Sequence, residues 1–253
     1  MQCDLYRLGV IEYQKAFNLQ NQLAAQIASG ERGPALLLLE HDPVYTFGRQ
    51  GKPENMLWDE AECARRGITL HETDRGGDVT YHGPGQLVGY PILPLAHGDL
   101  TTDPDTGQPR LPQADYVGYL RKLEMTLIIS LSRFGIGGGQ IKGQTGVWVQ
   151  PDVLSRCRHC PPELKQSPAK IASIGVRVDA RGVSRHGFSL NVSPDMSHWD
   201  GILACGLENQ NKVSLEMLVD PPPSVDEVAA VVGRAFGEVF GYEMVAHEGV
   251  LLI

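Results

Sequence analysis

The stretch RGGDVTYHGPGQLVGYPILPL, Arg75 to Leu95, decides how this chain is read. It holds two β-prone pieces, Val79–Tyr81 and Gln86–Leu93, joined across His82-Gly83-Pro84-Gly85. Glycine and proline in so short a connection favour a tight turn. Gly76-Gly77 and Gly83–Gly85 flank the first piece. A backbone without Cβ either turns sharply or comes close to a ligand. Two ordinary β-turns account for these glycines. The density of Arg75, Tyr81 and His82 around them favours another reading, in which bare amides and a histidine hold a carbonyl. The spacing is not that of a nucleotide loop, because neither GxxxxGK[ST] nor GxGxxG occurs there.

Upstream, Tyr13, Ala16, Phe17, Leu23, Ala24 and Ile27 recur at helical spacing, stopped by Gly30 and Gly33. Ala35–Leu39 reads as a buried strand and Val44–Phe47 as a second, after a turn at Asp42-Pro43. Trp58–Arg66 is helical in pattern, Gly67 its stop, and Ile68–His71 a strand. Downstream, His97–Gln113 reads as a loop. Tyr116–Phe134 is the strongest helix, with Val117, Leu120, Leu123, Leu127, Leu131 and Phe134 on one face. Val147–Val149 is a short strand, Pro151–Pro168 a loop, and Ile171–Val178 and Phe188–Val192 are β-like. Ser224, with Glu227 three residues on, opens a helix to about Phe240 through a capping box. Strands and helices mix without a βαβ rhythm, so the fold class expected is α+β (mixed α/β), with mixed or antiparallel sheets flanked by helices. No linker splits the chain, and residues 1–253 read as a single domain.

The longest strongly apolar run, Ala35–Leu39, is too short to cross a bilayer. Met1–Val10 lacks the basic-then-apolar pattern of a secretory signal, so a cytoplasmic location is expected, with no membrane partner. The net charge of −8 argues against a general nucleic-acid binder. Cysteines at 3, 63, 157, 160 and 205 are odd in number and irregular in spacing, which argues against a disulfide framework. Cys157-Arg158-His159-Cys160 supplies at most half of a zinc site, and its proline-rich setting reads as a mobile surface loop without metal.

Two further residues could carry chemistry. Lys170 stands before a β-like run with apolar flanks. It is either a solvated lysine at a strand start or one whose burial lowers its basicity. Cys205, in Ile202-Leu203-Ala204-Cys205-Gly206-Leu207, is either a core cysteine or a nucleophile on the turn made by Gly206.

Three segments together resemble the lipoyl(octanoyl) transferase family: RGGDVTYHGPGQLVGYP from Arg75, KIASIGVRV from Lys170 with HGFSLNV from His186, and ACGL around Cys205. The resemblance spans about Ala35 to Leu218, and its first segment is long and distinctive. It implies the biotin/lipoate protein ligase-like fold. It also implies catalysis by Cys205 and Lys170, with no cofactor and no metal. By the same resemblance substrate contacts fall on Arg75, Gly76, Gly77, Asp78, Val79, Thr80, Tyr81 and His82, on Ser173, Ile174 and Gly175, and on Gly187, Phe188 and Ser189. The implied donor is octanoyl-acyl carrier protein. The implied acceptors are lipoyl domains of 2-oxoacid dehydrogenases and the glycine cleavage H protein. Ala204 stands where the family often has proline, and the loops at His97–Gln113 and Pro151–Pro168 are longer than in compact members. The same superfamily contains ATP-using ligases, so fold alone does not choose the reaction. The competing readings are an ATP-dependent lipoate or biotin ligase, a non-catalytic binder of lipoyl domains or acyl carriers, and a thioesterase. If the resemblance holds, Lys170 should stand about 3 Å from Cys205 or one water away.

Overall fold

Five apolar residues in succession, Ala35 to Leu39, send side chains alternately to both faces of a strand, so each face needs a cover. A computed structural model, which describes residues 1–96, 101–102, 109–110, 115–203 and 211–247, shows what supplies those covers. In chain order come β1 (Gln2–Val10), α1 (Tyr13–Ala28), β2 (Ala35–Glu40), β3 (Val44–Phe47), α2 (Glu60–Arg65), β4 (Thr69–Glu72), β5 (Val79–His82) and β6 (Gln86–Ile92). A short pair follows, β7 (Thr101–Thr102) with β8 (Pro109–Arg110). Next are α3 (Tyr116–Ser132), β9 (Gly138–Ile141), β10 (Gln144–Val149), α4 (Pro151–Leu154), β11 (Ala169–Val178) and β12 (Ser184–Asn191). The last described elements are α5 (Leu215–Leu218), α6 (Val225–Phe240) and β13 (Glu243–His247).

Eight strands form one mixed sheet in the order β13-β1-β2-β6-β12-β11-β10-β9. The β13-β1-β2 side is parallel, and every pairing from β2 onward is antiparallel. Leu36 and Leu38 of β2 and Leu87 of β6 meet Leu123, Leu127 and Leu131 of α3 and Val228, Val232 and Phe236 of α6. On the opposite face Leu37, Leu39, Val88 and Ile92 meet Ala16, Leu23, Ala24 and Ile27 of α1. Each such buried leucine contributes about 1.5–3 kcal/mol. The architecture is mixed α+β, with helices on both faces of the large sheet.

A smaller sheet, β4-β3-β5, packs over its own cluster of Tyr45, Val79, Tyr81, Trp199 and Ile202. β5 pairs with β3, whereas β6 pairs with β2 and β12. The His82–Gly85 connection therefore carries the chain from the small sheet to the large one. Gly85 turns there at φ 83°, and its amide donates to Glu40 Oε2 at 2.6 Å. A Cβ at this position would overlap the carbonyl of Ser193.

Several sequence expectations need adjustment. The helix read from Trp58 begins at Glu60, because Asp59 caps it by accepting from the Glu62 amide at 2.8 Å. The helix read to Phe134 stops at Ser132. β1 and β13 are strands the sequence reading did not anticipate. The stretch 151–168 is not a bare surface loop: it contains α4 and a 3-10 turn at Pro162–Lys165. Cys157 and Cys160 form a disulfide and are buried in the main core. The odd cysteine count misled, since it tests for a framework and says nothing of a local link between near neighbours. Most of the expected loop His97–Gln113 lies outside the described residues.

Candidate active site

The segment that turns from one sheet to the other lines a cavity of about 580 Å³. Arg75, buried, donates through Nε and Nη2 to Thr46 Oγ1 at 3.1 and 3.0 Å, and through Nη1 to Gly76 O at 3.0 Å. Its guanidinium thereby fastens the glycine loop to β3. Gly76 donates its amide to Val176 O at 2.9 Å, tying the same loop to β11. Asp78 accepts from the Val79 amide at 2.7 Å and from Asn55 Nδ2, which pins the loop to the 3-10 turn at Pro53–Asn55. Along β5, Thr80 and His82 reach the cavity. Tyr81 does not line it. Strand alternation turns its ring into the small-sheet cluster, where its hydroxyl meets His198 Nδ1 at 2.9 Å.

The opposite wall comes from β10, β11 and β12. Lys170, only 8% exposed, lines the cavity, with Nζ 4.7 Å from the ring centre of Trp148, its cross-strand partner. Such a cation–π contact steadies an ammonium. Gly146, at φ 124°, passes so close that a Cβ there would stand 3.3 Å from Lys170 Cε. The backbone of Lys170 is bracketed by the segment that follows residue 210. Its amide donates to Asn211 O at 2.8 Å, and its carbonyl accepts from the Val213 amide at 3.0 Å. Lys212 also lines the cavity, its Nζ 5.2 Å from the centre of the Trp199 ring.

Along β11 and β12, Ser173, Ile174, Gly175, Gly187, Phe188 and Ser189 line the cavity. Gly187 has no room for a side chain, since a Cβ would overlap the carbonyl of Gly89 on β6. Beside it His186, with φ 55°, is held by its amide on Gln20 Oε1 at 2.7 Å and by Nε2 donating to Asp74 Oδ1 at 2.8 Å. That bond, with the Arg185 guanidinium beside it, holds the Asp74 carboxyl well below the usual range. Burial lowers His186 as well, so a neutral imidazole donates to a carboxylate. Below the cavity His41 Nδ1 meets Ile11 O at 2.8 Å and Nε2 meets the Tyr90 hydroxyl at 2.7 Å. Burial pushes His41 down to about 4.

Thus the cavity is lined by Arg75, Gly76, Gly77, Asp78, Val79, Thr80 and His82 from the first candidate segment, and by the named residues of β11 and β12. Lys170 shares it with them. Cys205, with Ala204 and Gly206, lies outside the described residues. Sequence reasoning did not single out Tyr13, Tyr90, Trp199 or Lys212, which also line the cavity. Apolar walls from Leu120, Ile174, Val176 and Phe188 beside a buried lysine and a glycine-rich loop suit an acyl group whose carbonyl undergoes attack. Among the described residues no three His, Cys, Asp or Glu side chains gather as a metal site, and no helix is long and apolar enough to cross a membrane.

Known proteins resemble this chain over nearly its whole length. The family model for the lipoyl protein ligase A/B catalytic domain matches residues 12–237. An octanoyltransferase of Chloroflexus aurantiacus is 40% identical over 240 residues, 94% of each chain. One from Acidobacterium capsulatum is 40% identical over 247 residues, covering 96% of this chain and 92% of that one. Among solved structures, the bi-partite lipoate protein ligase of Thermoplasma acidophilum aligns with a TM-score of 0.66 at 18% identity, over 98% of this chain and 88% of the other. That likeness bears on the fold alone.

Proposed function

The chain belongs to the lipoyl protein ligase A/B catalytic-domain family, and from that premise we propose an octanoyltransferase working through an octanoyl-Cys205 thioester, with Lys170 as its acid and base. The chain is an enzyme that transfers octanoyl groups in protein lipoylation, and its acceptors are lipoyl-domain proteins. In the finer reading residues 1–253 act as one catalytic domain. The donor is octanoyl-acyl carrier protein, and the acceptor lysines are those of 2-oxoacid dehydrogenase lipoyl domains and the glycine cleavage H protein.

The observation that carries the mechanism is the bracketing of Lys170. Leu203, two residues before Cys205, donates its amide to Asn55 O at 2.8 Å, and Asn55 holds the cavity residue Asp78. Asn211, six residues after Cys205, accepts from the Lys170 amide. Both flanks of the cysteine are therefore tied to residues of the cavity. A neighbouring ammonium favours a thiolate, which is the attacking species.

The thiolate adds to the carbonyl carbon of the donor thioester, the carrier sulfur leaves with its electron pair and takes a proton from the Lys170 ammonium, and octanoyl-Cys205 remains beside a neutral Lys170 amine. Oxyanion donors come from the glycine loop. Gly76 has already spent its amide on Val176, whereas the amides of Gly77 and Asp78 have no acceptor among the described residues. The acceptor lysine then forms the C–N bond, the C–S bond breaks, and the amine proton passes to Lys170. Thioester to amide runs downhill, so no nucleotide enters. The test is intact mass after mixing the protein with octanoyl-carrier, then lipoyl domain, in the presence of apyrase and chelator. An octanoyl adduct mapped to Cys205 and an amide product support the reading. A requirement for ATP, or turnover with no adduct, overturns it.

A further inference from the structure

We propose that His82 is a further catalytic residue, a fixed hydrogen-bond acceptor that holds one N–H of the incoming lysine amine. This inference rests on the acyl-cysteine reading above.

The argument starts from a group that cannot donate. The carbonyl of Val213 accepts from Asn191 Nδ2 at 3.1 Å, which fixes how that amide is turned. Asn191 Oδ1 therefore faces Gln86, and it accepts from Gln86 Nε2 at 2.9 Å. Gln86 is fixed in its turn, and its Oε1 meets His82 Nδ1 at 2.7 Å. An amide oxygen only accepts, so Nδ1 carries a proton. Burial, with the His41 ring second, pushes His82 down to about 3, so the ring is neutral at physiological pH. A neutral imidazole protonated at Nδ1 has a bare lone pair at Nε2.

His82 is 7% exposed and lines the cavity, and Nε2 has no partner among the described residues. A lone pair on a cavity-lining ring is available to a donor that a ligand brings there. The relay behind it is built from two buried polar side chains, Gln86 and Asn191, each hydrogen-bonded at both ends. Its far end, Val213, donates its amide to the carbonyl of Lys170, so one hydrogen-bonded chain holds both the acceptor and the base. A substrate supplies that donor. A lone pair repels a carbonyl oxygen and still more an oxyanion, so the group met is not the reacting carbonyl. The donor thioester offers no hydrogen at its reacting atoms, whereas an attacking amine brings two. In the transfer step one amine hydrogen goes to Lys170, the C–N bond forms, and the C–S electron pair returns to Cys205. His82 takes no proton. It holds the second hydrogen so that the nitrogen lone pair faces the carbonyl.

Two variants separate this role from a structural one. His82→Asn places an amide nitrogen where Nδ1 stood, keeping the bond to Gln86 and removing the acceptor. His82→Gln returns an oxygen near the lost Nε2 and gives up the bond to Gln86. The two half-reactions are followed by intact mass, first with octanoyl-carrier and then with lipoyl domain. In His82→Asn the ratio of handover rate to acylation rate should fall at least about tenfold, in kcat and not in the KM for lipoyl domain. His82→Gln should hand over faster than His82→Asn. The reverse ranking, or an unchanged ratio, overturns the inference, because a merely structural histidine is better replaced by the variant that keeps the Gln86 bond. If the parent protein forms no acyl-enzyme, the acyl-cysteine reading falls and this inference with it. That failure is told apart because it appears before any variant is made.

Discussion

Glu124 tests whether the site is held from behind. It lies on α3, 1% exposed, and its carboxylate takes three donors. These are the Gly146 amide at 3.2 Å, Gln140 Nε2 at 2.7 Å and Arg121 Nη1 at 2.6 Å. Gly146 is the glycine pressed against Lys170. Glu124→Leu strands the buried Gly146 amide, at about 1–3 kcal/mol, and unpairs Gln140, at about 0.5–1.5 kcal/mol. Arg121 is half-exposed and turns to water at little cost. A total of about 1.5–4.5 kcal/mol lowers Tm by roughly 3–18 °C in a chain of this size. Freed from its anchor, Gly146 shifts and Lys170 with it, and a misplacement of about 1 Å costs on the order of 10²-fold in kcat. Glu124→Gln keeps an oxygen for Gly146 and should cost only about 1 kcal/mol. Thermal melts and steady-state octanoyl transfer on the parent and both variants decide the matter. A leucine variant that melts within about 2 °C of the parent and turns over normally refutes this account.

The remaining predictions address the chemistry and the pH response. Cys205→Ala should abolish transfer while the protein stays folded by circular dichroism, and near-normal turnover would sink the acyl-cysteine step. Cys157→Ser with Cys160→Ser should keep most activity and lose about 2 kcal/mol of stability, because the closed loop is short; loss of turnover in the folded variant would tie that link to catalysis. Lys170→Arg should be nearly inactive, since guanidinium keeps its proton; retention of half the parent rate would move the base role elsewhere. His41 has a folded pKa lowered to about 4 from an ordinary 6.5, so its contribution is fully present above about pH 6.5 and is lost as pH falls toward 4. That loss is about 3 kcal/mol, visible in urea midpoints against pH. The acid-side slope should flatten in His41→Asn, and an unchanged slope would assign it to other groups.

Long periodic elements were legible in the sequence because their signal is repeated. Five apolar positions from Val117 to Leu131 mark α3, and Ser224 with Glu227 mark the start of α6, where both bonds of the capping box form. β1 was not legible. Asp4 and Arg7 break its apolar pattern, and its partners are parallel, so no hairpin turn announces them. In the site, the contiguous segments were readable as candidates. Tyr81 shows the limit of reading by segment, since alternation along β5 was enough to set it apart from Thr80 and His82. Tyr13, Trp199 and Lys212 reach the cavity from α1, from a 3-10 turn and from the chain beside β11. No local pattern links residues so far apart, and only the sheet order brings them together. The Gln86–Asn191 relay is of the same kind, its members 105 residues apart.

The place of β1 between β2 and β13 has a consequence for how the protein is made. Tyr6 on β1 pairs with Leu37 on one side and with His247 on the other. The first partner leaves the ribosome soon after β1 itself. The second follows some two hundred residues later, roughly 10–40 s at ordinary rates of synthesis. Through that interval the nascent chain presents an open strand edge, a template on which neighbouring chains of the same polysome can pair. Asp4 and Arg7 interrupt that edge with charge, and they are the same residues that blurred it as a strand. Replacing them with apolar residues would sharpen the strand pattern and lower the yield of soluble protein during synthesis.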